Sequence, residues 1–244
     1  MNDPSSETRA AVWGNTAPSK ATPTPMATPI AEAMSVPIVE QGSAIEYLKQ
    51  VYSLLAASMI VAVAAGYVGM SLPFAREHPI ILMLLMLGAM FLAFAVKNAA
   101  TLFLFTGISG LSLGPVIAVY VGAGLSHVVG EAVFMTGAVF AGLTVYALTT
   151  RRDLSVMNGI LFAGLIVLLV GGLLNLFFHS SALSFAMAAI GSVIFSGYVL
   201  VETQELKSNP WAMAPSVAAL SMYLNVVNLF MSLLRLLGFV NGED

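Results

Sequence analysis

The chain has 244 residues, of which 59% are hydrophobic and only 9% charged, against roughly 25% charged in an ordinary soluble domain. A net charge of −3 with no basic patch interleaved with aromatics excludes nucleic acid as a partner. With no cysteine, disulfide frameworks, thiolate metal sites and cysteine nucleophiles are excluded as well.

Residues 1–44 hold six of the eleven prolines among many Ala, Thr and Ser, and have no sustained apolar run. That composition reads as a disordered tail, retained because it lacks the positive start and apolar stretch of a secretory signal. From residue 45 to 244 the pattern is different. Between Val51 and Val201 there are seven charged residues, Arg76, Glu77, Lys97, Glu131, Arg151, Arg152 and Asp153, in four clusters separated by apolar runs. A helix rising about 1.5 Å per residue needs about 20 apolar residues to cross a hydrocarbon core about 30 Å thick.

Seven spans of suitable length follow in order. The first is placed at Gln50 to Leu72, ending at Pro73, and the second at Pro79 to Val96, with proline at its first turn. The third, Thr101 to Ala123, carries Gly107, Gly110, Gly114 and Pro115, which predict a close helix contact and a kink. The fourth, Glu131 to Thr149, is separated from the fifth, Ser155 to Phe178, by Arg151, Arg152 and Asp153. The fifth contains Gly171 and Gly172, read as packing glycines. The sixth, Ala182 to Val201, leads into a polar segment, Glu202 to Pro210, and the seventh is Ser216 to Leu237. Lipid offers the backbone no hydrogen-bonding partner and these runs do not alternate as barrel strands do, so the expected fold is an all-α membrane bundle.

Basic residues near span ends stay on the cytoplasmic side. With a cytoplasmic amino terminus, Lys49, Lys97, Arg151, Arg152 and Lys207 fall inside and Arg76 and Arg235 outside, a ratio of five to two. The histidines, His78, His127 and His179, then lie in outer loops and are expected to be solvent-exposed.

No pairing of Ser with His, no phosphate loop and no metal-ligand spacing stands out, so neither catalytic residues nor a cofactor are expected. The informative residues are polar groups near or within helices, which are costly at membrane depth. Glu202 closes the sixth span. Asn225 lies well inside the seventh, and Asn228, three residues on, shares its face. Two readings stand side by side: an interfacial carboxylate with asparagines that bond helix to helix, or one polar site joining Glu202 and Asn225 between the last two helices.

Three stretches bring in a resemblance: Phe105-Thr106-Gly107 through Leu113-Gly114-Pro115; Leu148-Thr149-Thr150-Arg151-Arg152-Asp153-Leu154-Ser155; and Glu202-Thr203 with Ser221-Met222-Tyr223-Leu224-Asn225 to Leu233-Leu234. In this order and spacing, from about Tyr47 to Gly238, the chain resembles the transmembrane Bax-inhibitor-motif family and within it the bacterial YccA-like branch. The resemblance implies a seven-helix fold whose last helix is surrounded by the other six, in a bacterial inner membrane, with no reaction catalysed. It also implies two functional themes. One is a pH-influenced calcium or cation leak through a pair of facing carboxylates, whose positions match Glu202 and Asn225 here, supported by Asn228, Tyr223 and Lys97. The other is binding and restraint of the membrane-anchored AAA protease FtsH. The second carboxylate is replaced by Asn225, which cannot ionise, so the coupling that makes a carboxylate pair a sensor is missing. The second span has no arginine, and Lys97 past its end is the nearest cation. One carboxylate and an amide also make a weak calcium site.

Overall fold

The computed structural model describes residues 38–242. Among the described residues the chain is helical with no strand, and seven helices are long and apolar enough to cross a membrane. Residues 1–37 of the sequence-assigned tail lie outside the described residues. The first helix, α1 (Ile38–Ser71), is already formed at 38 and so enters the stretch that composition gave to the tail.

Pro73 starts a short helix, α2 (Pro73–Glu77), and Pro79 starts α3 (Pro79–Val96). Proline suits this position because its missing N–H is one that the first turn leaves unpaired anyway. α3 stops where Lys97 turns left-handed, with φ 55°, and Asn98 caps α4 (Ala99–Gly122) through a 2.9 Å bond from the Thr101 N–H to its side chain. α5 (Ser126–Thr149) is followed by a 3-10 turn (Ser155–Met157) and α6 (Asn158–Phe178), so the fifth span begins at Ser155 as the hydropathy implies. Next come α7 (Ser181–Ser208) and α8 (Pro215–Asn241).

The sixth span departs from its expected end. The sequence reading stops it at Val201, where hydropathy falls, but α7 runs on to Ser208. The segment Glu202 to Ser208 is rich in strong helix formers, Glu, Gln, Leu and Lys, and helical propensity persists after the apolar run has ended. Asn209, directly before Pro210, then disfavours continuation. Glu202 therefore sits inside a helix, not at its end.

In lipid, helices associate through close packing, so small residues mark where backbones meet. α1 and α4 cross at such a place. A Cβ on Gly69 would stand 2.5 Å from the Leu111 carbonyl oxygen, and Cβ atoms on Gly110 and Gly114 would strike the backbone of Ala62 and of Gly69. The Leu111 oxygen lacks its helical partner because Pro115 has no N–H, and this is the oxygen that Gly69 faces. α4 nonetheless remains one helix through Pro115. Gly107 meets only a Val61 methyl at 3.8 Å, so the contact predicted from the four-residue group is made by Gly110 and Gly114. Gly171 packs against Met187 of α7, while Gly172 faces open space.

α8 is the central helix. Half of its most apolar window is buried, and Ala218, Ala219, Leu220, Met222 and Tyr223 have no exposed surface. It packs on α3, α4, α5 and α7, and its Ala218 to Tyr223 segment shares a core with Tyr47, Val51 and Leu55 of α1. The expectation that all six other spans surround it is corrected in one respect: α6 packs on α7, on the rim of the bundle, and only 6% of its window is buried. Gly164 and Gly171 serve its contact with α7, at Ile194 and Met187, and most of the remaining Leu, Ile, Val and Phe side chains are left to lipid.

One end of the bundle gathers the polar segments. Lys207 donates from Nζ to the Leu148 carbonyl at 2.5 Å, and Trp211 donates from Nε1 to the Ser43 carbonyl at 3.3 Å. The amino-terminal end of α1, the end of α5 and the end of α7 thus lie together, as the even number of spans crossed from each to the next, four and then two, requires.

Candidate functional site between the last two helices

Two extra turns of α7 carry Glu202 alongside α8, about 10 Å before the end of α7 by helical rise. Asn225 lies about 15 Å into α8 from its start at Pro215, coming from the same end. The antiparallel pairing of the two helices sets these residues opposite each other, and the Asn225 amide donates from Nδ2 to Glu202 Oε2 at 2.5 Å. Both are half-buried. Ser221, one helical turn before Asn225 on the same face, also reaches the Glu202 carboxylate with its side chain. Two donors from α8 thus converge on one carboxylate of α7.

The group opens into a cleft of about 410 Å³ between α6, α7 and α8. Asn158 and Glu205 line its outer part, Glu202, Ser221 and Asn225 its middle, and Phe195, Leu165 and Asn228 its deeper wall. Asn228 lines the cleft as expected from its spacing, but its amide donates to the Leu224 carbonyl at 2.8 Å within its own helix. Ser232, a further turn on, donates to the Asn228 carbonyl at 2.8 Å. The polar face of α8 thus continues past Asn228 and meets α7 where Gly191 leaves room for Ser232.

The other two named residues stand elsewhere. Tyr223 points to the opposite side of α8, where its hydroxyl donates to Ser109 Oγ at 3.1 Å and its ring meets Phe105 edge-on, with centroids 5.9 Å apart. It locks α8 to α4. Lys97 is exposed at the end of α3 and is not among the cleft's lining residues. His78, His127 and His179 are exposed, and among the described residues no group of three or more acidic or histidine side chains converges as a metal site would need.

Sequence reasoning missed two residues that support the site. Gln204 accepts from the Leu154 N–H at 2.8 Å and donates to the Arg152 carbonyl at 2.7 Å, and Lys207 holds Leu148 as described. Together they fasten the Leu148 to Ser155 stretch to the last turns of α7. Within that stretch Asp153 accepts from the Ser155 N–H at 2.9 Å. Hydrogen bonds from the Ser155 side chain and backbone hold the exposed Asp153 carboxyl below its ordinary pKa. The only signal in the sequence was polarity at a helix end, which does not name a partner 50 residues away.

Comparison with known proteins agrees with this architecture. The family model described as inhibitor of apoptosis-promoting Bax1 matches residues 45–242. The Escherichia coli (strain K12) protein named modulator of FtsH protease YccA is 33% identical over 200 residues, covering 80% of this chain and 91% of the relative. The inner membrane protein YccA of Escherichia coli O6:H1 matches to the same extent. Protein lifeguard 4 of Mus musculus is 32% identical over 209 residues, covering 81% of this chain and 86% of the relative. A family model spanning the whole bundle, and relatives above 30% identity over most of their length, lead to one conclusion: this chain is a multi-pass membrane protein of the Bax inhibitor family.

Proposed function

We propose that this protein is a non-enzymatic regulator of the bacterial inner membrane that binds a membrane-anchored AAA protease of the FtsH type and slows its processing of other membrane proteins. The observation that carries the reading is the relative named modulator of FtsH protease, which aligns with this chain over 91% of its own length. The inner membrane is inferred from the relative of that name, and a cytoplasmic amino terminus from the five-to-two division of basic residues. In that orientation the Gln204 and Lys207 clamp and the 1–44 segment lie on the cytoplasmic side, the segment within reach of a protease there. A functional test is the half-life of a membrane-protein substrate of FtsH in cells with and without this chain. A longer half-life in its presence supports the reading, and an unchanged one rejects it.

A second reading is favoured by the geometry of the cleft: a slow leak of calcium or another cation past Glu202. A half-buried carboxylate in a cleft of about 410 Å³ between helices is where a cation crossing lipid would find a counter-charge. With Asn225 beside it in place of a second carboxylate, a response to pH rests on Glu202 together with Glu205, which lines the outer part of the same cleft. Vesicles holding the protein and a calcium dye test it: flux altered by Glu202→Gln supports the leak, and no flux above empty vesicles removes it.

A further inference from the structure

A second cavity lies on the other side of α8, between α1, α4 and α5, with a volume of about 610 Å³. Its long wall is α1 from Tyr52 to Met70, a distance of about 27 Å by helical rise, close to the depth of the hydrocarbon core. Its floor is Val226, Val227 and Phe230 of α8, so the cavity runs in from the outer face of the bundle to the central helix. Its rim is lipid-facing: Val63 is 73% exposed and Val133 59%.

Shape and chemistry narrow the occupant. The volume spread over that length, widened by the radius of a water molecule on each side, gives a slot about 8 Å across. A file of methylenes, about 4 Å thick by carbon–carbon contact distance, fits it. An α-helix about 10–12 Å wide does not. The lining is aliphatic and aromatic, and its buried hydroxyls are already engaged. Tyr52 pairs with Thr203 at 3.3 Å, and Thr136 donates to the Ala132 carbonyl at 2.6 Å. The third hydroxyl, on the exposed Tyr67, stands near one end, so along most of the slot a polar headgroup or water would find no partner. At Gly137 the wall has no side chain, and a Cβ built on it meets nothing within 4 Å.

We propose that this slot is a binding site for a phospholipid acyl chain, which inserts between α1 and α5 and rests on the Val226 and Val227 face of α8. The chain then touches the helix that carries Asn225 from the side opposite the polar cleft. This inference stands apart from the proposed protease and leak roles, since it needs only the groove.

The experiment uses the full chain in vesicles of phosphatidylethanolamine and phosphatidylglycerol doped with a phospholipid whose acyl chain carries a diazirine. After irradiation, labelled residues are mapped by peptide mass spectrometry. Half-buried Val227 and Phe230 reach lipid through the slot, so they are expected to label as strongly as Phe134, which is 77% exposed on the outer surface. Gly137→Leu puts a side chain into the open space and favours the helix. It is expected to cut the floor labels at least fivefold and leave Phe134 unchanged. Floor residues that stay unlabelled in the unaltered protein overturn the proposal, whether or not the variant folds. So does a floor that appears in cross-links to another polypeptide, or floor labelling indifferent to Gly137→Leu.

Discussion

Asn225 gives Glu202 a donor at a depth where water is scarce, and Ser221 gives it a second from the next turn. A hydrogen bond to a charged group contributes about 1.5–3 kcal/mol, and losing one partner strands the other. Asn225→Ala is therefore expected to destabilise the protein by about 1–3 kcal/mol, read as a lower thermal midpoint in detergent. In a double-mutant cycle, Glu202→Ala with Asn225→Ala is expected to cost less than the two single changes combined, because the second removal has no bond left to break. Strict additivity would show that the two side chains do not interact. Asp153 offers a separate test outside the membrane. Its carboxyl titrates lower in the folded chain than in the unfolded one, so its contribution is complete above the unfolded value. It is lost as pH falls through the depressed folded value. Hydrogen exchange at the Ser155 amide is expected to be slower than in Asp153→Ala at neutral pH, with the difference vanishing as acid protonates the carboxyl; equal exchange at neutral pH would contradict the bond.

Among the elements, the contact of α1 with α4 is the least forgiving. Gly69, Gly110 and Gly114 meet backbone, which cannot swing aside as a side chain does. Gly114→Val is expected to cost about 1–3 kcal/mol through overpacking, whereas Gly172→Val, facing open space in α6, is expected to cost little. Equal thermal midpoints for the two variants would mean that the close crossing does not exist in the membrane. The glycines of the third span announced this contact in the sequence, but their partners Ala62 and Gly69 did not stand out among the many small residues of the first. The end of α7 was illegible for a different reason. Hydropathy reports where lipid ends, whereas helix propensity decides where a helix ends, and between Val201 and Ser208 the two disagree. That disagreement carries Glu202 and Gln204 into the helix and places them against their partners.

At the scale of the whole molecule, the seven spans were legible because charge is so sparse that each cluster marks a loop. The facing of Glu202 and Asn225 was legible only as one of two alternatives. Spacing along one helix fixes a shared face, but not which neighbour that face meets. The rim position of α6 and the acyl-sized slot beside α8 left no trace in the pattern, since lipid-facing and buried aliphatic residues look alike in sequence. The orientation is open to direct measurement, and the absence of cysteine from the chain simplifies it. Lys97→Cys is expected to stay shielded from an impermeant maleimide added to whole cells, and His179→Cys to react. The reverse pattern would invert the bundle and put the 1–44 segment outside, beyond the reach of a cytoplasmic protease.

The protease role itself is tested most directly by crosslinking native membranes that contain the tagged full chain, solubilising them and identifying the proteins recovered with it. The expected result is a membrane-anchored AAA protease at levels well above those recovered with an unrelated seven-helix protein carrying the same tag. Recovery of that protease at only the control level would contradict the account.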